Sequence, residues 1–124
     1  MRVFKNRLFS RWASKEGLGD DVLLAAVDEI ARGLIDADLG GHIMKKRVAL
    51  AGRGKSGGVR TLLAYKVENR AFFVYGFAKN ARENISVDEL KALKYLAKEL
   101  LDYSDKALTQ AIKYGALIEV ENDG

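Results

Sequence analysis

Lysine and arginine side chains crowd into the middle third of this 124-residue chain. Residues 39–82 contain ten Lys/Arg and one Asp/Glu, a net charge of +9, whereas the whole chain carries +4. Ammonium and guanidinium groups bind phosphate oxygens, and a basic region between less basic flanks is typical of a surface that contacts a polyanion. A solvated basic face without a ligand is the alternative that charge alone leaves open. The candidate cations are Lys45, Lys46, Arg47, Arg53, Lys55, Arg60, Lys79 and Arg82.

A glycine-rich connection lies within this basic region. Residues 52–58 include four glycines, and this freedom suits either a loop where backbone and ligand approach closely or a mobile hairpin tip. The run Gly54-Lys55-Ser56 invites comparison with a nucleotide-binding P-loop, which needs a further glycine at position 49 and a helix after the serine. Position 49 is alanine, and Gly57-Gly58 precede a strand-like segment, so the sequence argues against an NTPase.

Other familiar chemistries lack the residues they need. No acidic residue occurs between Asp38 and Glu68, so the basic region offers no carboxylates for a metal-dependent nuclease. The chain has no cysteine and a single histidine, His42, and Ser56 has no nucleophile-elbow context. A zinc site and a Ser/His/Asp hydrolase are therefore poor fits. We expect no metal and no cofactor, and chemistry driven by cations on a phosphodiester.

Four amphipathic segments are predicted to be the helices that position these cations. The third is the best marked, because Ser86 and Glu89 have the spacing of a capping box. The others show apolar residues at helical spacing, and glycines follow the first and the last. The predicted helices cover residues 4–16, a segment from 20 or 21 to about 34, residues 86–101 and residues 104–115.

The middle of the chain is predicted to form strands. Short apolar patches separated by glycines and a tight turn cover residues 43–51, 59–67 and 71–78, and residues 116–120 are a candidate final strand. Nothing marks an interdomain linker, so we expect one α+β domain spanning residues 1–124. Without a long apolar run or a signal-peptide pattern, we expect a soluble, cytoplasmic protein.

Strand periodicity assigns faces to the side chains. Alternate residues of a strand share a face, so Lys45 and Arg47 are expected to point one way and Lys46 the other. By the same rule Phe73 and Phe77 share the face of Tyr75, which makes core packing the better explanation for both phenylalanines.

Three segments together carry a resemblance to a known family. Residues 45–49 (KKRVA), 52–60 (GRGKSGGVR) and 73–80 (FVYGFAKN) resemble the RelE-type toxins of bacterial type II toxin-antitoxin modules, most closely their HigB-like branch. The resemblance implies N-terminal helices packed on a small twisted antiparallel sheet, followed by C-terminal helices. It also implies cleavage of messenger RNA in the ribosomal A site, and a cognate antitoxin that covers the basic face with an acidic or amphipathic segment.

By motif position, the resemblance assigns Arg53, Lys55 and Arg60 as the first catalytic candidates and Lys79 as the next. Without a metal or a histidine, the natural route uses the RNA 2′-hydroxyl as nucleophile, giving a 2′,3′-cyclic phosphate and a 5′-hydroxyl. In this scheme Lys55 is the general base, and neighbouring cations lower its pKa. Arg53 and Arg60 stabilise the negative charge of the transition state.

The general acid stays open between two residues. Lys79 or Tyr75 can donate a proton to the leaving 5′-oxygen, and packing in the core is the alternative for Tyr75. Many RelE-type toxins use an aromatic residue close to the C-terminus, which this chain lacks at its end. The candidate substitutes are Tyr75, Tyr103 and Tyr114. The cations assigned to RNA binding are Lys45, Lys46, Arg47 and Arg82.

Two other function classes stay open. Similar scaffolds in the ParE branch poison DNA gyrase without cutting RNA, although the dense cations around Gly54 argue against this reading. A plain RNA- or DNA-binding module would use the same patch electrostatically and lose affinity steeply with salt.

Overall fold

The computed structural model describes residues 1–50, 54–67, 69–82 and 84–121, and for residues 54–57 it describes the backbone only. The elements in chain order are β1 (Arg2–Asn6), α1 (Arg7–Glu16), α2 (Asp20–Ala31), β2 (Ala37–Asp38), β3 (Ile43–Leu50), β4 (Gly54–Tyr65), β5 (Arg70–Ala78), α3 (Val87–Leu101), α4 (Asp105–Lys113) and β6 (Leu117–Glu119). Within the described residues, no helix combines the length and apolar content that crossing a bilayer requires.

The strands form one six-stranded sheet in the order β2-β3-β4-β5-β1-β6. This confirms the α+β class, but the expectation of an antiparallel sheet is wrong in one respect. Strand β1 runs parallel to β5, with Val3 opposite Ala71, while its other edge pairs antiparallel with β6. The sheet is therefore mixed, and its N-terminal strand lies between two strands from the second half of the chain.

The first predicted helix begins three residues too early. Phe4 belongs to β1, where it is fully buried and stacks on Phe72 at 5.1 Å between ring centroids. The helix starts at Arg7, because the side chain of Asn6 accepts a hydrogen bond from the Phe9 amide and caps the first turn. Phe4 and Leu8 stand at helical spacing, but Leu8 is 73% exposed, so this spacing does not mark one buried face.

Helices cover both faces of the sheet. Residues of α1 and α2 share one buried cluster with side chains of β3, β4 and β5, and residues of α3 and α4 share a second cluster on the opposite face. The face toward α3 and α4 is the one that also carries the site. The first cluster contains Phe9, Ala13, Leu23, Val27, Ile30, Val48, Val59, Leu63 and Phe73, and the second contains Ile43, Leu62, Phe72, Phe77, Ala97, Leu100 and Leu108.

A register shift between β4 and β5 changes which β5 side chains share a face. Leu62 lies opposite Tyr75 and Leu63 lies opposite Phe73, so Val74 is an extra residue in β5. Tyr75 packs on the α3 side, whereas Phe73 stacks on Phe9 of α1 at 5.1 Å. The expectation that Phe73 shares the face of Tyr75 is therefore wrong, because strict alternation breaks at the extra residue.

The ends of α3 and α4 follow their sequence signals. Ser86 accepts a hydrogen bond from the Glu89 amide, and the Glu89 carboxylate accepts one from the Ser86 amide, which confirms the predicted capping box. Ser104 caps α4 in the same way through the Ala107 amide. Both helices thus begin at defined positions, and α3 starts beside the end of β5.

Gly76 in β5 provides the space in which Trp12 of α1 lies. A Cβ atom at Gly76 would fall inside the indole ring of Trp12. We expect Gly76→Ala to destabilise the fold by about 1–3 kcal/mol through overpacking, which outweighs the entropy that a glycine costs in a strand. Thermal unfolding followed by circular dichroism measures the change, with Ser14→Ala on the exposed side of α1 as the control.

A double variant tests the cause of that destabilisation. Trp12→Leu removes the ring that the new methyl group meets, so Gly76→Ala should cost less in the Trp12→Leu background than in the wild type. An equal cost in both backgrounds would contradict the overlap with Trp12 as the cause.

Candidate nucleic-acid interface

Three of the predicted cations meet in one open pocket of about 210 Å³ on the α3 side of the sheet. Lys45 and Arg47 lie two residues apart on β3, and Arg60 of β4 is the direct cross-strand partner of Arg47. Strand alternation therefore points all three side chains to one face. Asp36, just before β2, is the remaining lining residue. The pocket contains three positive charges and one negative charge.

The guanidinium of Arg60 is the most unusual group in the pocket. Arg60 is 8% exposed, and its Nη1 atom is buried without a hydrogen-bond partner among the described residues. Its cross-strand neighbour on β5 is the buried Phe77, whose side chain offers no acceptor. Arginine does not lose its proton in proteins, and a buried charged donor without an acceptor is costly. Arg60 also lines the pocket, so its positive charge lies beside any anion bound there.

Asp36 holds Arg47 in place from the side of β2. Its Oδ2 atom accepts a hydrogen bond from the Arg47 amide at 2.6 Å, and its Oδ1 atom accepts one from Nε at 2.8 Å. Burial opposes the charged carboxylate, but these bonds from Arg47 outweigh it and hold the pKa of Asp36 below its ordinary value. The Arg47 side chain remains 45% exposed and lines the pocket.

Lys46 lies on the opposite face and is not brought to the pocket. It is 3% exposed, and its Nζ atom donates to Glu29 of α2 at 2.9 Å and to the Leu34 carbonyl at 2.8 Å. Thr61 of β4, also fully buried, donates its hydroxyl to the Lys46 carbonyl. The expected divergence of Lys46 from its neighbours on β3 is confirmed. Its hydrogen bonds hold α2 and the segment before β2 against the sheet.

A second group of predicted residues forms a polar cluster next to the pocket. Arg82 donates to the Tyr75 hydroxyl oxygen at 3.1 Å and to both oxygens of Glu89, at 2.6 and 3.0 Å. The Tyr75 ring tilts against Phe77 at 6.1 Å, and Phe77 is the strand partner of Arg60. Tyr75 is thus one aromatic ring away from the pocket, and the first turn of α3 holds its hydroxyl through Arg82.

Hydrogen bonding sets the charge states of this cluster. The bonds from Arg82, followed by those from Ser86, lower the pKa of Glu89 to about 2. The same ion pair, with the bond to Tyr75, raises the pKa of Arg82 above its ordinary value. Both groups stay charged throughout the neutral range, and Arg82 contacts both Tyr75 and the first turn of α3.

The remaining predicted residues are only partly covered by the structure. Lys79 is exposed in the turn that follows β5. Arg53 lies outside the described residues, and for Lys55 only the backbone is described, within β4. The structure therefore brings together Lys45, Arg47 and Arg60, with Tyr75 and Arg82 alongside, and separates Lys46 from them. In the described part of the chain, no three His, Cys, Asp or Glu side chains are grouped as metal ligands.

Two acidic residues of the site have no motif that marks their contacts. Glu89 is visible in the sequence as a capping residue, but its pairing with Arg82 depends on the turn after β5. Asp36 reaches Arg47 only because β2 folds back beside β3. Both contacts come from the path of the chain and not from residue spacing.

The loss of stability at low pH should report on the hydrogen bonds of the Glu89 carboxylate. Because the folded pKa of Glu89 is about 2 and its ordinary value is 4.5, its ionised form stabilises the fold above pH 4.5. That contribution disappears as the pH falls from 4.5 toward 2. We expect the wild type to have a higher melting temperature than Glu89→Gln at pH 7. This difference should shrink as the pH falls from 4.5 toward 2.

Thermal melts of both proteins between about pH 2.5 and 7 measure the effect. Glu99→Gln makes the same charge change at an exposed position of α3 and serves as the control. A melting difference for Glu89→Gln that does not change with pH would argue against the ionised carboxylate as its source.

Comparison with known proteins identifies the family of this chain. The family model described as the RelE toxin of the RelE / RelB toxin-antitoxin system matches residues 1–120. A search of curated proteins finds no match. The family match spans every strand and helix named above, including those that form the basic pocket and the Tyr75 cluster. The chain belongs to the RelE family and is a toxin of a toxin-antitoxin system, with an antitoxin as its partner.

Proposed function

We propose that this toxin is a metal-independent endoribonuclease that cleaves messenger RNA on the ribosome and so inhibits translation. The observation that carries the proposal is the buried Arg60 guanidinium, whose Nη1 atom has no partner among the described residues and which lines a pocket with Lys45 and Arg47. Such a donor is suited to an oxyanion that arrives from outside the protein. In messenger RNA that anion is the scissile phosphodiester.

The pocket has the size and charge for one phosphate group. Its volume of about 210 Å³ exceeds several times the roughly 30 Å³ that one water molecule occupies in the liquid. Arg60 supplies a positive charge from the pocket wall, and Lys45 and the Asp36-bound Arg47 supply two more from the neighbouring strand. Planar guanidinium groups engage two phosphate oxygens at once, which orients the group as well as binding it.

The reaction uses the 2′-hydroxyl of the substrate. Its oxygen forms a bond to phosphorus while the bond from phosphorus to the 5′-oxygen breaks, giving a 2′,3′-cyclic phosphate and a 5′-hydroxyl. Negative charge grows on the non-bridging oxygens, and a donor held in a dry site stabilises that charge without reorganising. DNA, which lacks the 2′-hydroxyl, does not react by this route.

Proton transfer is assigned to residues of the central strands and of the turn after β5. Lys55 takes the proton of the 2′-hydroxyl, and Arg53 assists Arg60 at the phosphate. Tyr75 donates to the leaving 5′-oxygen, supported by its packing against Phe77 next to Arg60. Lys79 in the exposed turn is the alternative donor. Arg82 and Glu89 act through Tyr75 and are positioning residues.

The proposed partners, messenger RNA on the ribosome and the antitoxin, follow from the same chemistry. The A site of the ribosome presents single-stranded message, whose sugar and phosphate groups are accessible to an open pocket. The antitoxin neutralises the toxin by placing an acidic or amphipathic segment over the basic face, which blocks the phosphate pocket. A toxin that acts on ribosomes works in the cytoplasm, which is therefore the location that we propose.

Replacing Arg60 by methionine separates catalysis from folding. We expect cleavage to fall roughly 10²–10³-fold, the usual cost of removing one oxyanion donor. Stability should stay the same or rise, because an apolar side chain next to Phe77 removes a buried unpaired charge. Arg11→Met, on the exposed surface of α1, makes the same charge change away from the pocket and should leave both quantities unchanged.

The assay supplies messenger RNA on programmed ribosomes and maps cuts by primer extension. Lys55→Met is tested in parallel and should abolish in-frame cleavage while the protein stays folded. Full cleavage by a folded Arg60→Met protein would remove Arg60 from the mechanism. Intact message with the wild-type toxin would favour gyrase inhibition or simple nucleic-acid binding.

A further inference from the structure

A second basic cleft, separate from the Arg60 pocket, lies at the far end of α3. It has a volume of about 390 Å³ and lies between α3 and the turns that precede β3 and follow β4. Three lysines and a histidine line it, and among the described residues Asp102 is its one acidic lining residue. These side chains are His42, Lys66, Lys94 and Lys98.

The backbone beside this cleft is built to admit the stem of Lys94. Gly40, Gly41 and His42 all have left-handed φ angles, of 83°, 58° and 66°. A Cβ atom at Gly41 would collide with the Lys94 side chain, whose ammonium group lies beside Gly40. Among the described residues His42 is the one non-glycine residue with positive φ, a conformation that costs energy and concentrates at functional sites.

An aromatic hollow of about 510 Å³ adjoins the cleft and shares Lys98 and Asp102 with it. Tyr95, on the outer side of α3, is 69% exposed, and Tyr103 lies beyond the end of the helix. Tyrosine rings next to lysines are the arrangement with which proteins stack unpaired bases while holding the backbone. The carboxylates of Glu99 and Asp102 repel phosphate from the hollow but accept hydrogen bonds from base amino groups.

We propose that the cleft binds a phosphate of single-stranded RNA and that the hollow receives the adjoining base. This rests on the proposed function only in taking RNA as the ligand, because the site holds the strand and does not cut it. The cleft thus anchors the message at a distance from the scissile bond. Base stacking requires an unpaired strand, so duplex RNA uses the cleft without the hollow.

The cleft and the Arg60 pocket lie within reach of one RNA strand. Both open on the α3 side of the sheet, and Lys45 follows His42 by three residues, about 10 Å along an extended chain. Lys91 precedes Lys94 by three residues and so continues the same side of α3 by one turn. Lys91 therefore extends the basic surface of the cleft toward the first turn of α3, where Glu89 binds Arg82.

The experiment measures binding of a fluorescent, single-stranded 2′-O-methyl RNA, which cannot be cleaved through its 2′-oxygen. Lys94→Gln/Lys98→Gln should weaken binding about tenfold and reduce the slope of log K against log salt by about 0.7 for each phosphate that the variant no longer neutralises. Lys15→Gln/Lys113→Gln removes the same charge from exposed positions on α1 and α4 and should have little effect.

Tyr95→Ala tests the hollow. It should weaken single-strand binding roughly fivefold or more because the base no longer stacks, and leave binding of the matching duplex unchanged. Leu8→Ala, which removes an exposed apolar side chain from α1, is the control. Melting curves confirm that every variant is folded.

The outcomes separate this proposal from the proposed function. The proposed role of the cleft is wrong if Lys94→Gln/Lys98→Gln binds the RNA as tightly as the control Lys15→Gln/Lys113→Gln. It is also wrong if the wild type does not bind the RNA. The proposed role of the hollow is wrong if Tyr95→Ala weakens binding of the single strand and of the duplex equally. If the wild type leaves message intact on ribosomes while these binding differences persist, the proposed endoribonuclease activity is wrong and RNA binding by the cleft is supported.

Discussion

The alternation of side chains along β3 is the constraint on which the site depends. It sends Lys46 to one face, where the lysine pairs with Glu29 of α2, and sends Lys45 and Arg47 to the other, beside Arg60. Three adjacent cations in the sequence thus divide between two faces, one in packing against α2 and two in the pocket that we propose binds phosphate. A slip of one residue in the register would bury Arg47 under α2 and expose Lys46, which would exchange the two purposes.

The buried charge of Arg60 lowers the stability of the fold. A buried guanidinium next to Phe77 and without a full set of acceptors stabilises the fold less than an apolar side chain of similar volume. Asp36 compensates only in part, because it pairs with the neighbouring Arg47 and leaves Arg60 facing the pocket.

Local signals in the sequence predicted the parts of the fold that depend on neighbouring residues. The Ser86 capping box and the divergence of Lys46 from its neighbours follow from helix and strand geometry over a few residues. The position of β1 did not follow, because Phe4 fits a helical stripe and its true partner Phe72 lies far along the chain. The extra residue in β5 was equally invisible, since alternation carries no mark of where it breaks. The acidic partners of the site's arginines depend on chain path in the same way.

Strand β1 ties the beginning of the chain to its second half. Its partners are β5 and β6, which are both synthesised well after it. Pairings between residues so distant in sequence form slowly. During translation the edge of β1 that pairs with β6 therefore has no strand partner until β6 has left the ribosome, so the sheet is completed late.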